Sequence, residues 1–187
     1  MEGSEQIRRA RQGEGAAWEA LVREHQQAVF RFAYLLLGDP DQAEDVAQET
    51  FLRAFRALDR FDPQRPFRPW VLSIAANLAR NQRRSAGRYI AALRRLVKEA
   101  PAGPASLEAL ASQHWEAQAL WGAVRQLGFD DQQVIYYRFF LDLPVAETAQ
   151  ALGVAEGTVK SRLSRALERL RIVIARHYPA LQEGRQA

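Results

Sequence analysis

Trp18, Leu21, Val22, His25, Val29, Phe32, Ala33 and Leu36 recur every three or four positions, and the same rhythm governs most of the chain. A 3.6-residue period buries one stripe of a helix and does not fit a pleated strand, whose period is two. No segment alternates as a strand would, so the expected class is all-α. Glu14 to Leu37 reads as one amphipathic helix closed by Gly38. Asp39-Pro40-Asp41-Gln42 then supplies an N-cap acceptor, a proline at N1 and a glutamine at capping-box spacing. The helix it opens runs to about Leu58, with Ala43, Val46, Ala47, Thr50, Phe51, Ala54, Phe55 and Leu58 inward. Pro63 and Pro66 mark a loop from Arg60 to Arg68, and Pro69 starts a third helix extending toward Arg84.

Pro101-Ala-Gly-Pro104 then interrupts the rhythm with linker chemistry, although Tyr89 to Lys98 also suits a helical tail. A second helical block follows: Leu107 to Leu127, Asp131 to Phe140 with Asp130 as cap, Pro144 to Leu152, and Glu156 to about His177. Two small helical domains joined by a linker are therefore expected, each with a thin core of its own.

Composition removes several classes of function. With no cysteine there is neither a disulfide framework nor a thiolate metal site, and His25, His114 and His177 have no partners at ligand spacing. No metal, cofactor or catalytic nucleophile–base set is implied, so the chain does not read as an enzyme. Met1 to Arg11 is polar and basic and lacks the apolar core of a signal peptide, and no apolar run approaches a membrane span. The expected location is the cytoplasm, with no membrane contact.

Charge is modest in sum, +4, but uneven along the chain. Asp39 to Leu52 holds five acids and no base; Arg60 to Lys98 holds ten bases and one acid; Lys160 to Arg176 holds six bases and one acid. Solvated helix faces are the ordinary reading of any one such run. Together, one acidic and two basic surfaces suit a chain with both a protein partner and a polyanion partner.

The second block has the layout of a helix-turn-helix. Pro144 to Leu152 is a short helix ending at Gly153, Val154 is the apolar residue of the turn, and a longer helix follows from Glu156. On that helix Val159, Leu163, Ala166, Leu167 and Leu170 share one face, and Gly157, Lys160, Ser161, Ser164, Arg165 and Glu168 the other. Short hydroxyls and long cations near a helix N-terminus suit entry into a major groove. An ordinary amphipathic helix with a charged outside has the same pattern.

In the first block, Glu44, Asp45, Gln48, Glu49 and Leu52 fall on the outer face of the second helix, a leucine among carboxylates suited to a basic partner helix. The next loop and helix mix aromatics, amides and guanidinium groups (Phe61, Asn77, Arg80, Asn81 and Arg84 among them), which suits single-stranded DNA. Phe61 serves equally well as a plug for its loop, and Trp70 is in phase with the core residues Ile74 and Leu78.

Asp41 to Leu58 and Phe67 to Arg80 resemble region 2 of the extracytoplasmic-function sigma factors, and Gly157 to Ala166 resembles the region 4 recognition helix of that family. The three stretches stand in family order. The resemblance implies a region 2 domain over 1–86, a linker over 87–106 and a region 4 domain over 107–187. It further implies that Asp45, Gln48, Glu49 and Leu52 grip the β′ coiled coil of core RNA polymerase. Phe61, Asn77, Arg80, Asn81 and Arg84 would hold the single-stranded −10 element. Lys160, Ser161, Ser164 and Arg165 would read the −35 duplex, with Thr158, Arg162 and Arg138 on phosphates. Core polymerase (β′ and β), promoter DNA and an anti-sigma factor are the implied partners. The alternative is a stand-alone helix-turn-helix regulator, which needs neither the acidic stripe nor the aromatic–amide helix.

Three residues depart from the family pattern. Pro144 and Ala155 stand where a Ser or Thr cap is usual, and Thr148 replaces an apolar residue. Each lost cap acceptor is typically worth about 1 kcal/mol.

Overall fold

A computed structural model describes residues 2–96 and 112–183, with side chains at 4–85 and 117–181. Its described helices are α1 (Glu2–Arg11), α2 (Gly15–Leu37), α3 (Pro40–Ala57), α4 (Phe67–Leu96), α5 (Ser112–Arg125), α6 (Phe129–Ile135), α7 (Val145–Leu152), α8 (Glu156–His177) and α9 (Ala180–Glu183). No strand occurs among the described residues, and none of their helices is long and apolar enough to cross a membrane.

Local chemistry sets the helix ends. Gly38 closes α2 at φ 75°, a left-handed conformation that a side chain disfavours, and its N–H donates to Tyr34 O at 2.8 Å. Asp39 Oδ1 then accepts from the Gln42 N–H at 2.9 Å, so the expected N-cap forms. The reciprocal half of a capping box does not: the Gln42 side chain accepts instead from Gln82 of α4, at 3.3 Å. The third helix begins at Phe67, two residues before the expected start, because Pro69 sits comfortably within a first turn whose N–H groups have no helical partner. It continues to Leu96, ten residues into the span expected as linker, while residues 97–111, including the expected start at Leu107, lie outside those described.

Helices α2, α3 and α4 pack as a three-helix unit around Phe32, Ala43, Ala54, Val71, Leu72 and Ala75, all shielded from solvent. The N-terminal residues, expected only as a polar segment, form α1. That helix buries Ile7 and Ala10 against α2, and Arg11 Nε donates to Leu58 O at 2.9 Å. In the second unit α6 and α7 pack on α8 around Val134, Leu143, Val159 and Ala166. The helix expected over Asp131 to Phe140 differs in two ways. Gly128 is its N-cap, leaving Asp130 in the first turn, and after Ile135 it widens into a π turn over Tyr136–Phe140. The wider turn accommodates a run of large residues, of which Tyr136 and Tyr137 are buried while Phe139 and Phe140 are exposed. Burial raises the Tyr136 hydroxyl to about 12, so the phenol stays neutral.

Candidate polymerase and promoter interfaces

The acidic stripe is presented by α3. Asp45, Gln48 and Leu52 are exposed, and Glu49 is held along the same face by Arg53, whose Nε lies 2.7 Å from Glu49 Oε1. An exposed pair of this kind orients the carboxylate and adds little stability. Beneath the stripe lies a feature the periodicity missed. Phe55, expected in the core, is 54% exposed, and Trp18 of α2 packs on it at 5.2 Å between ring centroids. Together with Val22, Phe30 and Leu52 they line a groove of about 960 Å³, with Glu44 and Gln48 on its rim. The sequence signal for it was the i, i+3 pair Leu52 and Phe55, which continues the outer stripe and does not turn inward. An apolar floor with a carboxylate rim suits an amphipathic helix carrying cations.

The face expected to hold the −10 strand is divided. Asn77 and Asn81, one turn apart on α4, are exposed, as is Arg84. Arg80 turns toward the second unit, its Nη2 2.6 Å from Asp130 Oδ1. Phe61 is 5% exposed, its ring 4.5 Å from that of Trp70 and 5.8 Å from that of Phe67. It therefore plugs the loop, and it also lines a cavity of about 330 Å³ with Arg60, Arg65, Trp70 and Ser73. Both residue types suit a nucleotide: the arginines for its phosphate and the aromatic wall for stacking of its base.

The helix-turn-helix forms as the spacing predicts. Gly153 caps α7 at φ 65°, and the next N–H, that of Val154, donates to Ala149 O at 3.0 Å. Val159, Ala166 and Leu170 face inward, while Gly157, Lys160, Ser161, Ser164, Arg165 and Glu168 are all exposed and Thr158 and Arg162 are half-buried. Arg165 Nε rests on its own helix, donating to Ser161 O at 3.2 Å. Arg138, expected near phosphate, is instead engaged inside the fold, with Nη1 donating to Leu143 O.

The departures noted above have visible consequences. Neither Pro144 nor Ala155 supplies a side-chain cap. Thr148 is fully buried, and its hydroxyl satisfies itself by donating to Pro144 O at 2.9 Å. Since Ala155 is exposed with extended backbone (φ −70°, ψ 151°), Ala155→Ser should add about 1 kcal/mol of stability, seen as a rise in thermal midpoint of a few degrees. An unchanged or lower midpoint would show that the α8 N-terminus gains nothing from an acceptor.

Comparison with known proteins agrees with this geometry. Residues 21–89 match the model of sigma-70 region 2, and residues 117–170 that of sigma-70 region 4. The ECF RNA polymerase sigma factor SigL of Mycobacterium tuberculosis is 35% identical over 164 residues, 86% of this chain and 90% of that protein. The ECF RNA polymerase sigma factor SigW of Bacillus subtilis is 28% identical over 174 residues, 88% of this chain and 92% of its own length. Among solved structures, the fold matches CnrH in complex with the cytosolic domain of CnrY (TM-score 0.71, 24% identity, 94% of this chain and 98% of that one). It also matches the sigma factor RpoE in complex with the anti-sigma factor NepR from Bartonella quintana (TM-score 0.64, 26% identity, 84% and 96% covered). The chain belongs to the sigma-70 family of bacterial sigma factors, and within it to the extracytoplasmic-function (ECF) RNA polymerase sigma factors.

Proposed function

We propose that this chain binds core RNA polymerase, recognises the −35 and −10 elements of a promoter and starts transcription there. The observation that carries the reading is the coexistence, on one chain, of an acid-rimmed apolar groove and a solvent-facing hydroxyl–guanidinium stripe on a helix-turn-helix. The region 2 domain spans 1–86 and the region 4 domain 107–187. Asp45, Gln48, Glu49 and Leu52 of α3 engage the β′ coiled coil, with Trp18 and Phe55 as the floor on which it lies. Asn77 and Asn81 read exposed base edges of the −10 strand. Arg80 and Arg84 follow its backbone, and Phe61 walls the cavity that takes an unstacked base. On α8, Lys160, Ser161, Ser164 and Arg165 meet base edges of the −35 duplex, and Thr158 and Arg162 meet phosphates. The sigma factor RpoE was solved with an anti-sigma factor, NepR. A partner of that type is proposed for this chain.

Run-off transcription with purified core polymerase on a promoter library tests the reading. Discrete transcripts that require the added chain are expected. A chain that leaves core polymerase as inactive as before on every promoter, and instead binds a palindromic site as a dimer, would be a stand-alone regulator.

A further inference from the structure

We propose that Arg11, the last residue of α1, is a positioning residue for capture of the −10 strand: it fixes the turn that sets Phe61 and so shapes the cavity that takes an unstacked base. The inference rests on the functional reading above for what the cavity takes, and on geometry alone for what Arg11 holds.

Helix α1 precedes the part of the chain that matches region 2. Ile7 and Ala10 dock it on α2, and Gly13, at φ 85°, closes its end with an N–H that donates to Ala10 O at 3.1 Å. The half-buried Arg11 is thereby placed beside the end of α3, where the chain makes a 3₁₀ turn over Leu58–Arg60 before entering the loop. Arg11 Nε donates to Leu58 O at 2.9 Å, and the Phe61 N–H donates to that same oxygen at 3.1 Å. A carbonyl oxygen has two lone pairs, and both are engaged here. A single donor leaves a peptide plane free to rock, whereas a second one, anchored in a separate helix, fixes its direction. The cation is also favourably placed at the carbonyl end of α3.

A bond that merely stapled α1 to the bundle could end on any carbonyl within reach. This one ends on the carbonyl that sets Phe61, and beyond Phe61 the loop is stiff. Pro63 and Pro66 each fix a backbone φ. Asp62 Oδ1 accepts from the Gln64 N–H at 3.0 Å, and Asp62 O accepts from the Arg65 N–H at 3.0 Å. The segment from Asp62 to Pro66 therefore moves as one piece, with the turn at Leu58 as its hinge. Phe61, Arg65 and Pro66 line the cavity opposite Trp70 and Ser73 of α4, and Arg11 is not among its lining residues. Rotation at the hinge would carry one wall away from the other; Arg11 opposes that rotation without touching DNA. A loop that keeps the capturing shape only about a tenth of the time captures about tenfold more weakly.

Two variants test the assignment: Arg11→Met keeps an apolar stem and removes the donor, and Arg11→Lys restores a charged donor. In the free full-length Arg11→Met chain the Phe61 amide should exchange with solvent at least about tenfold faster. The amide of Val71, in the buried core of α4, should be unchanged. Holoenzyme carrying the full chain is then titrated with −10 single strands from a promoter found by run-off transcription, each abasic at one position. Arg11→Met should weaken the intact strand about tenfold, and Arg11→Lys much less. At the position whose base enters the cavity, the abasic strand should bind wild type and Arg11→Met alike, since no base is left to capture. At every other position the gap should persist. A gap of the same size at all positions, no gap at all, or a Phe61 amide as protected in Arg11→Met as before overturns the proposal. Should Arg11→Met lose helical circular dichroism, the wild-type Phe61 amide decides it: exchange at the rate of an open chain means that the turn is not held. A wild type indifferent to every abasic position removes the base-capturing reading of the cavity and the proposal with it. The amide exchange, read without DNA, still tells whether Arg11 holds the turn, so the two failures are distinct.

Discussion

Lysine at both Asp45 and Glu49 is expected to reduce affinity for core polymerase by a factor of at least about a hundred, with the helical signal of the chain unchanged. Both side chains lie on the outward face of α3, and the only ion pair lost among the described contacts is the Glu49–Arg53 pair. Exposed pairs of that kind contribute about 0.2–1 kcal/mol, so folding should hardly notice. Binding should, because the substitution removes two attractive charges and puts two repulsive ones against a cationic helix. Losing one partner of a desolvated charge pair costs about 2–5 kcal/mol at an interface, and a total near 3 kcal/mol already exceeds a hundredfold. Leu52→Ala, which only trims the apolar contact, should cost less and be insensitive to salt. Titration of labelled chain against core polymerase at 0.1 and 0.5 M salt separates the two (conditions on the order of a short and a shorter screening length). Retention of wild-type affinity by the lysine variant would remove α3 from the polymerase interface.

The elements that were legible in advance are those whose cause is local. Gly38, the Asp39–Pro40 start and Gly153 act within a turn of themselves, and each helix end stands where its residues require. The outer face of α8 was legible because a 22-residue helix fixes every phase once its inner residues are known. What escaped depends on distant partners. Helix α1 has few apolar residues, and Ile7 and Ala10 acquire their burial only from α2. Phe55 has the spacing of a core residue, yet Trp18 of α2 covers just part of its ring and leaves it 54% exposed. The run from Val134 to Phe140 has no polar residue but Arg138 to mark its phase, so a π turn and a continuous helix read alike. Arg80 is the clearest case: a guanidinium on a helix serves a phosphate or a carboxylate equally, and only the position of Asp130 decides which it meets.

Arg165→Ala should cost the holoenzyme about 1–3 kcal/mol on its preferred −35 sequence, roughly five- to 150-fold, and much less on sequences altered at the base pair that Arg165 reads. The structural basis is that Arg165 is spent on nothing else. It is exposed, and its one described bond is from Nε to Ser161 O of its own helix. Removing it therefore leaves the fold intact, and the lost free energy is that of recognition. Arg162, half-buried on the flank of α8, provides the contrast. As a phosphate contact its alanine variant should weaken all sequences alike and reduce the slope of log affinity against log salt by about 1. Binding measured across a set of −35 variants at several salt concentrations gives both quantities from one experiment. If Arg165→Ala lowers affinity equally for every sequence, Arg165 contacts backbone. Base discrimination would then fall to Lys160, Ser161 and Ser164, whose hydroxyls and single ammonium offer no bidentate fork to a guanine.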